Sequence, residues 1–435
     1  WQDFMFANMD YPVADPDFAA LVRAEAEQVL ADLAHRPSLA VLCGNSEVEQ
    51  QVAMLGLDPA LGRGELFGTL LPDVARAAGT DAVYVPSAPA GGTLPFRFDQ
   101  GVSNYFGVGG YRRPLTDARL AGVRFASECL ALANVPDADP ASREQGVMRD
   151  VGSEWDFADV RDHYLRELCG VDPLVLLAED PARYYALSRE VSGELMGAVF
   201  AEWRRPGSPC RGGIVLRLRD LEPGSGWGVL DHDGRPKVAW HHLRRALAPV
   251  AVWLTDEGLA GVAVHVANDR GEPLGAVVRI ALYRDGEVAV GEVRKPLELA
   301  AHSAVTLDVE GLLGHFVDVS WAYRFGPPQQ DAIVASLERD GEVLAQDVLF
   351  PVGAPATVLG AEELGLEAEL DAAGLLLSAR RVVHGVRIVA PGQEAADDAF
   401  ALEPGHPRHV GLRPATGATG SVEVRALNLR GSVVV

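Results

Sequence analysis

The chain has 435 residues, enough for roughly two to four domains with sizeable cores. Its formal net charge of −23 argues against nucleic-acid partners and anionic membranes, because their phosphate groups would repel it. No apolar run is long enough to span a bilayer. The few cysteines form no CxxC pair, so neither a zinc site nor a disulfide framework is indicated. Reduced thiols predict a cytoplasmic location.

The first part of the chain alternates between predicted strands and helices. Asp15-Pro16 predicts a helix start. Over 18–33, apolar residues recur at spacings of three and four residues, which predicts an amphipathic helix. The apolar run 39–43 has no helical period and ends abruptly in a polar loop, which is typical of a buried parallel strand. Further strands are predicted at 81–86, at 102–108 with exposed aromatic side chains, at 119–127 and at 212–220. Further helices are predicted at 157–169, 182–204 and 240–247, with a polar loop over 137–154.

This alternation indicates a parallel α/β layer, and the later sequence indicates antiparallel sheet. From residue 250 onward, β-branched residues alternate with polar ones between Asp-Gly and Asn-Asp turns. We therefore expect a multidomain α/β plus all-β protein. Residues 1–248 are predicted to form a (β/α)8 TIM-type barrel that lacks its first strands, since only about five of eight are visible. Residues 249–353 and 354–435 are each predicted to form a β-sandwich.

Two glutamates at predicted strand ends suit glycosidic bond cleavage. Glu47 follows the strand 39–43, close to the amide of Asn45, and Glu128 ends the segment VRFASE. Retaining hydrolysis needs two carboxyl groups roughly 5–5.5 Å apart, an ionised nucleophile and an acid whose pKa is raised. The alternatives are a solvated loop carboxylate for Glu47, a salt bridge with Arg124 for Glu128 and a helix cap for Asn45.

Several segments, in this order and spacing, resemble the β-mannosidase branch of glycoside hydrolase family 2. They are WQDFMFANMDYP, CGNSEVEQ, RFASE, GGIVLRLRD and GWGVLDHDGRPKVAWHHLRRALAPV. The resemblance implies a retaining exo-glycosidase with two C-terminal immunoglobulin-like domains and no metal or organic cofactor. It further implies that Asn45 binds the 2-hydroxyl of the sugar, that Glu47 is the acid/base and that Glu128 is the nucleophile.

The sequence departs from the family pattern at positions that contact the sugar. The usual aromatic-glycine pair after the nucleophile is Cys129-Leu130, the His-Tyr-Trp stretch is Asn104-Tyr105-Phe106, and the tryptophan of the last strand is Leu216. A β-mannoside is the first expectation for the carbohydrate substrate. The alternatives are β-galactosidase, β-glucuronidase or β-glucosaminidase activity, or a non-catalytic carbohydrate-binding or scaffold protein on a decayed barrel.

Other residues are candidate substrate ligands, each with a plainer alternative. Asp3 could bind substrate or pair with an arginine. Asn104, Tyr105 and Phe106 could contact or stack on a sugar, and Trp227 could line the pocket, but the aromatic rings could equally belong to the core.

Two further patterns are rejected, and one partner is expected. His241-His242 on one helix cannot face the same way, which argues against a metal site there. GVGGY is followed by no helix in the right place, which argues against a nucleotide site. We expect a missing N-terminal segment or a partner chain to complete the barrel, and a homo-oligomer is allowed.

Overall fold

The computed structural model of the protein describes residues 1–138, 157–415 and 420–435. Most of the loop predicted at 137–154 lies outside these residues. The chain divides into two compact units. The first comprises Trp1–Gly107, Thr116–Leu130 and Pro209–Leu216, and the second comprises Val108–Leu115, Ala131–Ser208 and Arg217–Val435.

The first unit is an α/β layer. Its helices are α1 (Pro16–Leu33), α2 (Val48–Met54), α3 (Leu71–Ala77) and α4 (Asp117–Leu120), with a 3-10 turn at Pro59–Arg63 and a π turn at Leu66–Leu70. Its strands are β1 (Gln2–Asp3), β2 (Val41–Cys43), β3 (Val83–Val85), β4 (Ser103–Tyr105) and β5 (Ala126–Cys129).

Local sequence explains where α1 begins. The Asp15 side chain accepts a hydrogen bond from the Asp17 N–H at 2.9 Å, and Pro16 occupies the first turn, where its missing N–H has no cost. The buried face of α1 packs with α3 and β2 into one apolar core. Its fully or nearly buried members include Val22, Ala26, Leu30, Leu42, Leu71 and Val74. The predicted helix 18–33 is thus confirmed.

Parallel pairing brings the carboxyl ends of the strands to one edge. The sheet order is β1-β2-β3, with Asp3 opposite Cys43 and Cys43 opposite Val85. Strands β4 and β5 form a second parallel pair, in which Asn104 lies opposite Glu128. The loops that carry polar residues therefore leave the layer on one side, where parallel α/β proteins place their sites.

The strand predicted at 212–220 is wrong. Ile214 N–H donates to Ala126 O at 2.8 Å and Ala126 N–H donates to Gly212 O at 3.0 Å, which makes an isolated parallel bridge between Ala126 and Gly213. A second isolated parallel bridge joins Arg219 to Leu230. The segment changes partner along its length, from β5 at Gly213 to residues 227–230 at 217–220, so neither pairing extends into a continuous ladder.

The second unit contains a helical part and an all-β part. Its helices are α5 (Phe157–Cys169), α6 (Pro173–Glu179), α7 (Pro181–Arg204), α8 (Val238–Ala246), α9 (Val309–Leu313) and α10 (Ala361–Leu364). None of the helices in the described ranges combines the length and apolar composition needed to cross a membrane.

Four antiparallel sheets follow α8. The strands are β6 (Val250–Asp256), β7 (Val262–Asn268), β8 (Leu274–Arg284), β9 (Val288–Leu299), β10 (Ser303–Asp308), β11 (Ala332–Arg339), β12 (Glu342–Leu349), β13 (Glu367–Leu370), β14 (Gly374–Ser378), β15 (Val383–Val389), β16 (Gln393–Ala395), β17 (Phe400–Leu402), β18 (Arg408–Pro414), β19 (Glu423–Arg425) and β20 (Val433–Val434). The sheets β10-β7-β6 and β12-β11-β8-β9 share one core, and β13-β14-β18-β16 and β17-β15-β19-β20 share another.

The turn chemistry predicted from sequence sets two of the hairpins. Asp285-Gly286 joins β8 to β9 with φ angles of 56° and 60°, and Asp340-Gly341 joins β11 to β12 with φ angles of 55° and 85°. Two consecutive residues with positive φ match the twist of antiparallel strands, and Asp-Gly tolerates that conformation. The molecule is therefore α/β followed by all-β, as predicted.

A buried ion pair connects the two β regions. Arg279 on β8 donates to Glu403, just after β17, with 2.6 Å between Nη1 and Oε1, and both side chains are at most 2% exposed. Tyr283 and Gln346 also donate to this carboxylate, at 2.7 and 2.9 Å. Both carboxylate oxygens of Glu403 are thereby satisfied.

Candidate active site

The loop after β2 is held by hydrogen bonds of a buried side chain, Asn45. Asn45 is fully buried: its Oδ1 accepts hydrogen bonds from the Val48 N–H (3.1 Å) and the Ser87 hydroxyl (2.6 Å), and its Nδ2 donates to Pro86 O (2.8 Å). Asn45 thus caps the turn into α2, one of the two roles considered from sequence. Its contact with a sugar hydroxyl stays a prediction.

Glu47 sits at the start of α2 in a strained backbone conformation. Its φ of 63° lies in the left-handed region, which is uncommon for a residue with a side chain. Its Oε1 accepts hydrogen bonds from Asn104 Nδ2 (2.7 Å) and Gln50 Nε2 (3.2 Å). Strain of this kind persists only where surrounding contacts fix it, and it clusters at functional sites.

Glu128 lies within β5 and faces the same group of residues. Its Oε1 accepts a hydrogen bond from the Ser46 hydroxyl at 3.0 Å. Burial, and next the negative charge of Glu47, raise the pKa of Glu128 to about 7 from its ordinary 4.5. From the mechanism we expected the nucleophile Glu128 to be ionised and the acid/base to have the raised pKa. The raised pKa of Glu128 shows that the expectation for this residue is wrong. The main physical reason is the burial of the Glu128 carboxyl.

Asn104 links the two glutamates. It is 6% exposed, and it donates to Glu47 while its Oδ1 accepts from the Ser127 hydroxyl at 2.7 Å. In the β4–β5 register it is the direct neighbour of Glu128. Residues far apart in sequence thus come together through two sets of side-chain hydrogen bonds, one joining Ser46 to Glu128 and one joining Glu47, Asn104 and Ser127. We call these residues the carboxylate cluster: Ser46, Glu47, Asn104, Ser127 and Glu128.

The sequence interpretation missed the two serines. Ser46 and Ser127 each directly precede a candidate glutamate, and each donates to a polar partner of that cluster. This shared spacing is the signal that could have found them. Gln50, one helical turn after Glu47, was missed as well, although that separation brings side chains together on a helix.

The other predicted substrate ligands have mixed surroundings. Asp3 is exposed at the carboxyl end of β1, and its charge contributes to the raised pKa of Glu128. Tyr105 is fully buried and donates to Asp117 at 2.8 Å, and Phe106 is 8% exposed, so the expected exposure of these rings is wrong: they pack in the interior. Trp227 belongs to the second unit, half-buried, with the Arg217 guanidinium 5.9 Å from its ring centre.

Two thiols lie beside the cluster and are held protonated. Burial raises the pKa of Cys43 and of Cys129, and nearby carboxylates raise both further. A thiol with a raised pKa is a poor nucleophile. The chemistry available here is therefore that of the two carboxyl groups, of which Glu128 has a raised pKa.

Comparison with known proteins identifies relatives over most of the chain. No family model matches. The chain is 25% identical to β-mannosidase B of Aspergillus fumigatus over 95% of its length, and to β-mannosidase B of Aspergillus niger over 84%. It spans about half the length of these curated relatives, 53% and 46% respectively.

Solved structures share its fold. The β-D-mannosidase of Dictyoglomus thermophilum superposes with a TM-score of 0.78 at 20% identity, covering 99% of this chain and 53% of that one. The exo-chitosanase of Amycolatopsis orientalis gives a TM-score of 0.65 at 15% identity, covering 98% and 54%. The predicted resemblance to β-mannosidase-like glycoside hydrolases of family 2 is confirmed.

Proposed function

We propose that this chain carries the catalytic pair of a retaining exo-glycosidase that cleaves terminal β-linked sugars, with β-mannosides as the first substrate. The observation that carries the proposal is that Asn104 donates to Glu47 and is the strand partner of Glu128, whose carboxylate accepts from Ser46 beside Glu47. The β-mannosidase relatives support the choice of sugar.

In the proposed mechanism, Glu128 attacks the anomeric carbon. A carbon–oxygen bond forms to Glu128 as the glycosidic bond breaks, and the leaving oxygen takes a proton from Glu47. Glu47 then removes a proton from water, which displaces Glu128 and releases the sugar with its configuration retained. Positive charge that develops at the anomeric carbon favours the ionised form of Glu128, which offsets its raised pKa in the free chain.

Asn104 and Ser46 would hold the two carboxyl groups in place. Asn104 donates to Glu47 and Ser46 donates to Glu128, which leaves one oxygen of each glutamate without a bond to these two residues. Asp3, Asn45, Tyr105, Phe106 and Trp227 remain proposed substrate-side residues. Because the rings of Tyr105 and Phe106 are buried, a sugar would have to contact the edges of these rings.

The architecture that goes with this function is a (β/α)8 barrel followed by two immunoglobulin-like sandwiches, with the domain boundaries predicted at 248/249 and 353/354. Within the described residues, β1 pairs with β2 alone. An open edge of a parallel sheet exposes unpaired backbone groups. We propose that a further segment or a partner chain covers it, and that the protein is cytoplasmic and able to form homo-oligomers.

Covalent trapping tests the proposal. The full chain is incubated with 2-deoxy-2-fluoro-β-mannosyl fluoride, whose fluorine slows the second step, and peptides are mapped by mass spectrometry. We expect one adduct, on Glu128, and none in Glu128→Gln. An adduct on Glu47 would reverse the two roles, as the raised pKa of Glu128 alone would suggest.

Sugar specificity is tested separately with a panel of aryl glycosides. Manno-, galacto-, glucurono- and glucosaminide members distinguish the activities considered from sequence, and the exo-chitosanase neighbour makes the glucosaminide the foremost competitor. If no fluoro-sugar labels the chain and no aryl glycoside is cleaved, a non-catalytic carbohydrate-binding role replaces the proposal.

A further inference from the structure

A second group of charged side chains lies in the second unit, remote in sequence from the carboxylate cluster. Glu190 and Glu194 project from α7 four residues apart, which stacks them on one helix face. His242 of α8 and His384 of β15 meet them. We propose that these four side chains form a zinc-binding site that joins the helical part to the last β region.

The distances between ligand atoms suit a small ion. His242 Nε2 lies 3.0 Å from Glu190 Oε1, and His384 Nε2 lies 3.4 Å from Glu194 Oε1. Neighbouring ligands of a tetrahedral Zn²⁺, with bonds of about 2.0–2.2 Å, are about 3.3–3.6 Å apart. One ligand atom each from Glu190, Glu194 and His384 lie within 4.8 Å of one another. His242 contacts Glu190, and its side chain must turn towards the other two ligands to complete the set.

Burial distinguishes this group from surface carboxylates. Glu190 is 4% exposed and His384 is 6% exposed, and the Phe350 ring stands edge-on against His384 at 5.1 Å. Two carboxylates brought together in an apolar interior repel each other unless positive charge is shared between them. A divalent cation neutralises both at once. The Glu194 side chain, 37% exposed, leaves a path by which the ion can enter.

The donor set selects the metal. Two imidazole nitrogens and two carboxylate oxygens suit Zn²⁺ in tetrahedral geometry, whereas Mg²⁺ and Ca²⁺ prefer six or more oxygen ligands. Four protein ligands leave no open position for substrate, so the site is structural. His241, next to His242, lies 3.8 Å from Asp397 instead, as the helix period predicts for consecutive residues.

Metal titration tests the site. The full chain is stripped with a chelator, dialysed and titrated with ZnCl₂ by calorimetry, with MgCl₂ in parallel. We expect one Zn²⁺ per chain and a higher Tm, and no response to Mg²⁺. Glu194→Gln should weaken Zn²⁺ binding by more than about 100-fold. Even the loss of a residue that only hydrogen-bonds to a metal ligand typically lowers metal affinity about 10–100-fold. Glu202→Gln, on the same helix outside the group, should bind like wild type.

A spectroscopic measurement on the unmodified chain covers the case in which a variant fails to fold. Co²⁺ in place of Zn²⁺ should give the intense visible absorption of a tetrahedral site and should be displaced by Zn²⁺. Absence of stoichiometric Zn²⁺, an octahedral Co²⁺ spectrum, or unchanged affinity in folded Glu194→Gln would each overturn the proposal. The two His–Glu contacts would then be ordinary ion pairs.

Discussion

Asn104 donates a hydrogen bond from Nδ2 to Glu47 Oε1 at 2.7 Å and is also the strand neighbour of Glu128. The Asn104 side-chain amide thus fixes the Glu47 carboxylate, while the Asn104 backbone pairs with the strand that carries Glu128. A hydrogen bond to a charged group contributes roughly 1.5–3 kcal/mol. The geometry of the pair therefore depends on this side chain.

Asn104→Ala should lower kcat on an aryl β-mannoside about 10–100-fold, the rate equivalent of that hydrogen bond. KM should change little, because the lost contact is to Glu47 and not to the sugar. Gln51→Ala is the matched control: Gln51 lies on the same helix as Gln50 but donates to Ala7 O, so its loss should leave kcat unchanged. Equal losses in both variants would contradict the role of Asn104.

Glu128 makes stability depend on pH in an unusual direction for a carboxyl group. Its pKa in the folded chain is about 7, against an ordinary 4.5. The folded state therefore holds the proton more tightly, so the free energy of unfolding is undiminished below pH 4.5 and falls as the pH rises through about 7. Glu128→Gln cannot ionise and should be more stable than wild type by about 2 kcal/mol near pH 8, allowing for partial exposure.

Urea unfolding of wild type and Glu128→Gln across this pH range measures the difference. The two stabilities should converge near pH 4, where the wild-type carboxyl is protonated in both states. A difference independent of pH would show that the glutamine acts through packing and not through charge.

The Ser46 hydroxyl lowers the pKa of Glu128 through a hydrogen bond, against the larger effects of burial and of the Glu47 charge. That hydrogen bond opposes the rise in the pKa of Glu128, so Ser46→Ala should raise it further. The acidic limb of kcat/KM should then move to higher pH by about one unit. Loss of packing alone would reduce activity without moving the limb, so the pH profile separates the two explanations.

The left-handed backbone of Glu47 predicts an inverted order of substitutions. Glycine adopts φ near 60° without cost, whereas alanine pays about 1 kcal/mol there. Glu47→Gly should therefore unfold at higher urea than Glu47→Ala, although both lose the same carboxylate. At Glu49, inside α2, the order should be the ordinary helical one, with alanine the more stable.

The buried Glu403 should matter far more than an exposed partner. Glu403→Ala leaves Arg279 without its 2.6 Å partner and should cost about 3 kcal/mol in free energy of unfolding. Replacing both residues by apolar ones should recover part of that loss. Glu423→Ala, which breaks an ion pair with a largely exposed Arg425, should cost about 0.5 kcal/mol or less.

Local chemistry made much of the fold predictable. Asp15-Pro16 predicted the start of α1, and the Asp-Gly pairs predicted two hairpins, because helix caps and turns depend on a few adjacent residues. The abrupt end of the run 39–43 placed Glu47 at a strand end for the same reason. These features need no knowledge of distant parts of the chain.

What the sequence could not supply is pairing between distant segments. Asn104 was predicted to be a sugar ligand, which stays a prediction. Its hydrogen bond to Glu47 depends on which strands become neighbours. The strand predicted at 212–220 had the right composition, but its residues make only isolated bridges, to Ala126 and to Leu230. The same holds for the raised pKa of Glu128, because relative desolvation is a property of the assembled layer.

The tie between Arg279 and Glu403 makes the last β region inseparable from the one before it. Deleting everything after residue 353 would remove the Glu403 carboxylate and expose Arg279, Tyr283 and Gln346 to solvent, with Glu292 left as an ion-pair partner of Arg279. A chimera that replaces the last β region with one from another protein must therefore keep both Arg279 and a glutamate at the position of Glu403. Otherwise the junction after residue 353 must be placed elsewhere.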